Sequence, residues 1–173
     1  LWLNQKDTSG KRIQKQLTKE NYNVNSFSWG KDGKQIAYSY GKSPEANDGN
    51  YQDMAMVDVN TGTVRAIAAT AGDESNPIFS HDGSMIGFQF SPAPVDWPGP
   101  DQINIYSMAD GKVWRLQATP NEDGGLIGWS PDNKNVLVLE ANKTLNSIYV
   151  LSADGKTITE WNTGSNQLLI GAT

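Results

Sequence analysis

The sequence predicts an all-β protein built from antiparallel, four-stranded repeats. The first observation behind this prediction is internal self-similarity at a spacing of about 50 residues. The second is that each copy alternates short apolar runs with residues typical of tight turns. The third is that almost no segment has the helical period of about 3.6 residues. Helix is predicted at most as single turns over residues 18–21 and 142–147.

The repeat is clearest where an apolar run meets a turn, in residues 28–38, 78–88 and 128–138. One position in each copy is aromatic: Trp29, Phe79 and Trp129. The turn that follows reads Asp-Gly, Asp-Gly and Asp-Asn, with residue types that tolerate the positive φ of a short hairpin. Each copy therefore begins with two antiparallel strands, A and B. We expect the three aromatic side chains to pack between neighbouring repeats.

A second hairpin in each copy supplies strands C and D. These hairpins span residues 54–67, 103–116 and 148–161. The ends of the chain continue the series, with strands C and D of a preceding repeat near the start and strand A of a following repeat near the end. The sequence therefore predicts a single domain over residues 1–173 with about three and three-quarter repeats. Its predicted divisions are 1–18, 19–67, 68–116, 117–161 and 162–173.

Four-stranded antiparallel repeats of about 40 to 50 residues are typical of a β-propeller, in which each repeat forms one blade. A blade cannot bury both of its faces alone, so neighbouring blades stack side by side. We therefore predict a partial β-propeller of four-stranded antiparallel blades.

The repeat resembles that of TolB-type propellers. The residues that carry the likeness are Phe-Ser-Trp-x-x-Asp-Gly-Lys-x-Ile-Ala-Tyr at 27–38 and Trp-Ser-Pro-Asp-Asn-Lys at 129–134. They are also similar to repeats in the N-terminal propeller of prolyl-oligopeptidase-family serine peptidases, which include dipeptidyl and acylaminoacyl peptidases. This resemblance implies a non-catalytic segment that caps an α/β-hydrolase domain, of the same protein or of another chain, and filters peptide substrates. The alternative is a TolB-like propeller that binds a protein partner outside any enzyme.

The sequence contains no catalytic set of its own. It has no Gly-x-Ser-x-Gly elbow for a nucleophilic serine, no cysteine, and a single histidine, His81, in the turn between strands A and B. Sequence neighbours on a turn do not form a catalytic relay, so His81 is interpreted as a solvated turn residue. The oxygen-rich segment 45–53 is interpreted as a polar loop rather than a metal site. No metal or cofactor is predicted, and the activity of a parent protein stays open.

Charge and hydropathy exclude other classes of partner. The formal net charge is −5 and the chain has no basic patch, which argues against nucleic-acid binding. No window approaches the roughly 18 apolar residues of a membrane-spanning helix. The absence of cysteine is compatible with the periplasm and with the cytoplasm, so localisation stays open.

Propeller topology divides the connections between two faces. The A–B and C–D turns emerge on one face, which we call the hairpin face, and the B–C and D–A connections emerge on the other, the loop face. The loop face is predicted to hold most of the excess acidic residues. It is also predicted to hold the longer connecting segments, which are residues 41–51, 68–76, 89–101, 117–125 and 141–146. An acidic face favours a cationic partner, such as a peptide amine or a basic patch. The alternative is that this charge only keeps the protein soluble.

One loop of this face is rich in proline, which limits its conformational freedom. It spans residues 91–101 and presents Trp97 as an aromatic side chain suited to recognition. Asp96, Trp97 and Asp101 are the predicted binding residues. The alternative for Trp97 is that it folds back to cover its own blade.

Overall fold

A computed structural model shows an all-β chain whose strands form three four-stranded sheets and one two-stranded sheet. It describes residues 1–46, 48–95, 99–142 and 145–161. The two-stranded sheet is the hairpin of β1 (Trp2–Lys6) and β2 (Arg12–Gln16). This hairpin occupies the place of the predicted strands C and D that precede the first complete blade.

The three four-stranded sheets are the blades. Blade 1 contains β3 (Asn23–Trp29), β4 (Gln35–Gly41), β5 (Gln52–Asp58) and β6 (Val64–Ala68). Blade 2 contains β7 (Asp73–Phe79), β8 (Met85–Ser91), β9 (Gln102–Ser107) and β10 (Val113–Arg115). Blade 3 contains β11 (Gly125–Trp129), β12 (Asn135–Asn142), β13 (Leu145–Ser152) and β14 (Ile158–Trp161). Neighbouring strands in the chain pair antiparallel within each blade, which confirms the predicted partial propeller. The strand predicted within residues 162–173 lies outside the described residues.

The A–B turns form as their residue types predict. Gly33, Gly83 and Asn133 have φ values of 69°, 73° and 60°, the left-handed region that glycine and asparagine tolerate best. The preceding aspartate closes each turn: Asp82, for example, accepts a hydrogen bond from the backbone N–H of Ser84 at 2.9 Å.

The hydrophobic core lies between the blades rather than within one of them. One cluster joins the β1–β2 hairpin to blade 1, a second joins blades 1 and 2, and a third joins blades 2 and 3. In the second cluster, Met54 and Met56 of β5 pack with Phe79 and Phe88 of blade 2. Blades 1 and 2 each therefore bury apolar side chains on both faces of their sheet, which explains why their central strands are rich in consecutive apolar residues.

The aromatic position of the repeat behaves differently in the three blades. Phe79 and Trp129 are 7% and 6% exposed, and the Trp129 indole N–H donates to the carbonyl oxygen of Ile78 in blade 2 at 2.9 Å. This confirms packing between blades for these two residues. For Trp29 the prediction is wrong, since its side chain is 43% exposed. The reason is that only the two-stranded β1–β2 hairpin precedes blade 1 in the described chain, without the inner strand pair that Trp129 contacts in blade 2.

The helical predictions are also wrong. Asn142 belongs to β12 and residues 145–147 belong to β13, with Asn142 paired to Leu145, so strand extends into the loop expected over 141–146. Residues 18–21 form no helix. The helical turn that the described chain does contain is a 3-10 turn over Asp48–Asn50, between β4 and β5. Among the described residues no helix is long and apolar enough to cross a membrane.

The first strands of the blades form the inner edge of the arc, where β7 contacts both β3 and β11. Each carries a shift in register against its partner strand. In β7 the shift includes Asn76, whose φ of 49° suits a bulge. The Asn76 amide group donates to Gln89 in its own blade and to the carbonyl oxygen of Leu126 in blade 3, both at 2.9 Å. Its backbone N–H donates to the Ser26 hydroxyl of blade 1 at 3.2 Å. One bulge therefore holds three blades in register near the loop face.

Candidate functional site

The loop face contains a polar cleft of about 170 Å³ beside the inner strands. Its walls come from the segment before β5, from the paired ends of β7 and β8, and from the segments that lead into β9 and β11. The lining residues are Asn50, Asp73, Ser75, Ser91, Val95, Gly99, Asp101 and Asp123.

The topology brings three carboxylates to this cleft. Asp73 begins β7 and pairs with Ser91 at the end of β8. Asp101 ends the B–C connection of blade 2 and forms an isolated parallel bridge with Asp123, which ends the D–A connection to blade 3. Because B–C and D–A connections emerge on the same face, residues distant in the chain meet here.

Hydrogen bonds hold two of these carboxylates in place. Asp73 accepts the backbone N–H of Gln52 from blade 1 at 2.8 Å. Asp101 accepts the Ser91 hydroxyl at 2.5 Å and the Gln89 amide group at 3.4 Å. Neither contact brings a positive charge, and no lysine or arginine lines the described walls of the cleft. Burial raises the pKa of Asp73, despite the hydrogen bond from Gln52, and the charge of Asp101 adds to the rise. The cleft therefore concentrates negative charge that a cation would stabilise.

On the hairpin face, by contrast, hydrogen bonds lower the pKa values of several turn aspartates. Hydrogen bonds from the Ser80 hydroxyl and from Ser84 lower the pKa of Asp82 to about 2. Asp110 and Asp154 sit in C–D turns, and hydrogen bonds from their turn residues likewise lower their pKa values to about 2. These carboxylates are already saturated by donors of their own turns. The acidic groups available to a partner are therefore those of the loop face.

Of the three predicted binding residues, the structure places Asp101 in the cleft. Asp96 and Trp97 lie outside the described residues, while Val95 and Gly99 on either side of them line the cleft. Sequence reasoning did not single out Asp73 and Asp123 as site residues. The signal that could have found them is the repeat itself, because both occupy the position just before or at the start of strand A, and Asn23 occupies it in blade 1.

The other chemistry-bearing residues are not assembled into a site. His81 is exposed, its backbone N–H donates to the Asn133 side chain at 2.7 Å, and its Nε2 lies 3.3 Å from the carbonyl oxygen of Trp129. It therefore links the A–B turn of blade 2 to blade 3. Within the described part of the chain, no group of three or more acidic or histidine side chains is arranged to hold a metal ion. Asn47, in the polar loop 45–53, lies outside that part.

The opposed pKa shifts predict an unusual pH dependence of stability. Burial raises the pKa values of Asp73 and Glu74, so acidification from neutral pH adds protons to the folded chain first and stabilises it. Below the ordinary aspartate pKa of about 4, the unfolded chain takes up protons that Asp82 and its counterparts resist, and stability is lost. We expect the melting temperature to rise as the pH is lowered from neutral toward the ordinary carboxyl range, and to fall below pH about 4. Calorimetry across this range measures it; a steady decline from neutral pH would contradict the assignment of raised pKa values.

Comparison with known proteins supports the fold and leaves the role open. No protein-family model matches the chain, and no curated protein matches it in sequence. Solved structures do match. TolB from Acinetobacter baumannii is 19% identical with a TM-score of 0.60, over 88% of this chain and 35% of that one. A prolyl endopeptidase structure is 17% identical with a TM-score of 0.64, over 88% of this chain and 24% of that one.

A third match is the β-propeller domain of the Trilobed protease from Pyrococcus furiosus. It is 12% identical with a TM-score of 0.60, over 83% of this chain and 44% of that one. This chain spans less than two thirds of the length of each of these three structures. At these identities the likeness establishes the fold alone. By its fold, the chain is a partial β-propeller similar to TolB and to the propeller domains of peptidases.

Proposed function

We propose that this propeller is the non-catalytic, peptide-filtering part of a prolyl-oligopeptidase-family serine peptidase, and that its acidic cleft binds the amino groups of peptides. The observation that carries the proposal is the convergence of Asp73, Asp101 and Asp123 in one cleft with no cation among its described lining residues. The propeller domains of proteases among the structural matches support the choice of parent.

The size of the cleft limits what it can recognise. A volume of about 170 Å³ holds an ammonium group and the first atoms beyond it, not a whole peptide. The hydroxyl groups of Ser75 and Ser91 lie in the walls beside the carboxylates and offer neutral hydrogen-bond partners. Such a site selects for positive charge and steers amines toward the loop face, while leaving the peptide sequence unread.

In this proposal the catalytic groups belong to an α/β-hydrolase domain of the same protein or of another chain. The propeller contributes a charged entrance, and Asp96, Trp97 and Asp101 contribute peptide contacts. The chain between Val95 and Gly99 includes Asp96 and Trp97, and both flanking residues line the cleft. This supports a role for the proline-rich loop at the entrance.

The alternative is a TolB-like propeller that binds a protein partner outside any enzyme. The match to TolB supports it, and the same cleft could receive a lysine from the basic surface of a partner. The two proposals differ in what the gene encodes beyond this segment. A Gly-x-Ser-x-Gly elbow in a following α/β domain would favour the peptidase.

Isothermal titration calorimetry with short peptides tests the role of the cleft. We expect a peptide with a free amino terminus to bind, its N-acetylated form to bind at least about tenfold more weakly, and the affinity to fall as salt is raised. Asp73→Asn should weaken binding of the free peptide about fivefold or more, since it removes a carboxylate that is partly desolvated in the cleft.

Asp110→Asn is the matched control, because it removes an aspartate from the hairpin face. It should leave peptide affinity unchanged within error. Equal affinity for the free and acetylated peptides, or equal losses in the Asp73 and Asp110 variants, would contradict a charge-selective cleft on the loop face.

A further inference from the structure

A second cavity, separate from the acidic cleft, lies between blades 1 and 2. Its volume is about 320 Å³. One wall is the end of β6 and the connection after it, from Ile67 to Thr70, and the other is the surface of blade 2 that faces blade 1. The size falls at the lower end of small-molecule sites, which run from about 300 to 1,000 Å³.

Most of this lining is apolar. Phe88 is 1% exposed and lies with the half-buried Phe90 on the blade 2 wall. Val113 and Ala69 are exposed at the opening, so the cavity communicates with solvent. Two phenylalanine rings in an accessible cavity suit a flat apolar ligand.

Two polar side chains within this apolar lining lack full partners. Glu74 is 1% exposed; its carboxylate accepts the Thr70 hydroxyl at 2.5 Å, and the described residues give it no ion pair. Asn104 is 8% exposed, and its side-chain oxygen is buried without a hydrogen-bond partner. A buried acceptor left unpaired costs free energy that a donor from a ligand would recover.

Glu140 shows how a purely structural carboxylate of this kind is satisfied. It is also 1% exposed, in blade 3, and it accepts the Thr119 hydroxyl and the backbone N–H groups of Asn121 and Asp123. The connection that leads into blade 3 closes over it. In the connection that leads into blade 2, Thr70 is the one described residue that donates hydrogen bonds to the Glu74 carboxylate. Glu74 is therefore less enclosed by hydrogen-bond donors than Glu140, and it lines the cavity.

The strand register fixes how the two polar groups are arranged. Glu74 lies opposite Phe90, and Asn104 lies opposite Phe88, so all four side chains project from one face of blade 2. The Cα atoms of Glu74 and Asn104 are two strand spacings apart and offset by two residues along the strands, a separation of roughly 12 Å. An acid, two aromatic rings and an amide therefore follow one another across this face of blade 2 and line the same cavity.

We propose that this cavity binds a small aromatic amine: Glu74 holds the ammonium group, Phe88 and Phe90 pack on the ring, and Asn104 accepts a hydrogen bond from a hydroxyl or N–H group at the far end. Burial raises the pKa of Glu74, and a bound ammonium would favour its ionised form again. The cavity shares no lining residue with the acidic cleft, and the proposal does not rest on the proposed peptidase role.

Calorimetric titration with tyramine tests the proposal, because tyramine has an ammonium group, a ring and a phenolic hydroxyl. We expect a Kd of about 1 mM or below. 2-Phenylethylamine, which lacks the hydroxyl, should bind about fivefold more weakly, and 4-hydroxyphenylacetate, with a carboxylate in place of the ammonium, should not bind detectably.

Two variants separate the polar contacts. Glu74→Gln should reduce tyramine affinity at least about tenfold, and Asn104→Leu should remove the preference for tyramine over 2-phenylethylamine. Asn104→Leu should also raise the melting temperature, since it replaces an unpaired buried amide with an apolar side chain of similar size. Both variants are made in the Asp73→Asn background, so that amine bound in the acidic cleft does not contribute. Asp110→Asn, on the hairpin face, is the control and should change tyramine affinity by less than about threefold.

The proposal is overturned if none of the amines binds, if 4-hydroxyphenylacetate binds as well as tyramine, or if Glu74→Gln leaves affinity unchanged. It is also overturned if Asn104→Leu lowers the melting temperature, which would show that the amide group is already satisfied, by water for example. Should Glu74→Gln fail to fold, the ligand series and the Asn104 variant still decide the outcome.

Discussion

Replacing Trp129 with alanine is expected to lower the free energy of unfolding by about 3–5 kcal/mol. The side chain is 6% exposed, packs with Val136 and Leu126 in the cluster between blades 2 and 3, and donates to the carbonyl oxygen of Ile78. Its removal leaves a cavity and also removes the hydrogen bond to the partly buried Ile78 carbonyl. Chemical denaturation followed by circular dichroism measures the loss.

The matched control is the same substitution at the equivalent position of blade 1. Trp29 is largely exposed, so Trp29→Ala should cost about 1 kcal/mol or less. Equal losses at the two positions would show that Trp29 is covered, and would contradict its exposure beside the β1–β2 hairpin in the described structure.

Replacing Glu140 with alanine is expected to cost about 2–4 kcal/mol. Its carboxylate accepts three hydrogen bonds from the connection between blades 2 and 3, including one from the buried Thr119 hydroxyl. Without it these donors lose their partner, and the segment that carries Asp123 into the acidic cleft loses its anchor. We therefore expect Glu140→Ala to weaken peptide binding as well as stability.

Glu122→Ala is the control for this prediction. Glu122 lies in the same connection and forms an exposed ion pair with Arg115 at 2.8 Å, a contact typically worth less than about 1 kcal/mol. Its loss should leave the melting temperature nearly unchanged. A Glu140 variant as stable as the Glu122 variant would show that the connection does not depend on the buried carboxylate.

The blade pattern was predictable from sequence because its determinants are local. An Asp-Gly or Asp-Asn pair specifies a hairpin whatever surrounds it, and the three turns formed at the predicted positions. The exposed fraction of the Trp29 side chain was not predictable in the same way. It depends on which strands stand beside blade 1, and an equivalent position in a repeat does not guarantee an equivalent neighbour.

Residues 142–147 illustrate a different limit. Asn and Lys have weak strand propensity, and composition alone predicts a loop with a helical turn here. Pairing of eight successive residues of β12 with β13 outweighs that propensity, since tertiary contacts decide strand formation more than composition does.

The acidic residues show why the candidate site could not be predicted fully from the sequence. Asp82 and Asp73 are the same residue type, yet turn donors lower the pKa of the first, and burial raises the pKa of the second. Glu74 and Glu140 are equally buried, yet three donors satisfy one of them and a single threonine contacts the other. Only the folded arrangement determines which carboxylates remain available to a ligand.

The most direct test of the charge-selective loop face is to map peptide binding on the protein by NMR. In a titration of the isotope-labelled chain with a short peptide carrying a free amino terminus, we expect the largest amide shifts at Asp73, Ser75, Ser91 and Asp101. The turns at Asp82, Asp110 and Asp154 should not move, and the N-acetylated peptide should cause little change at either face. Shifts centred on the hairpin face, or the same shifts with both peptides, would contradict the assignment of the acidic cleft as the binding site.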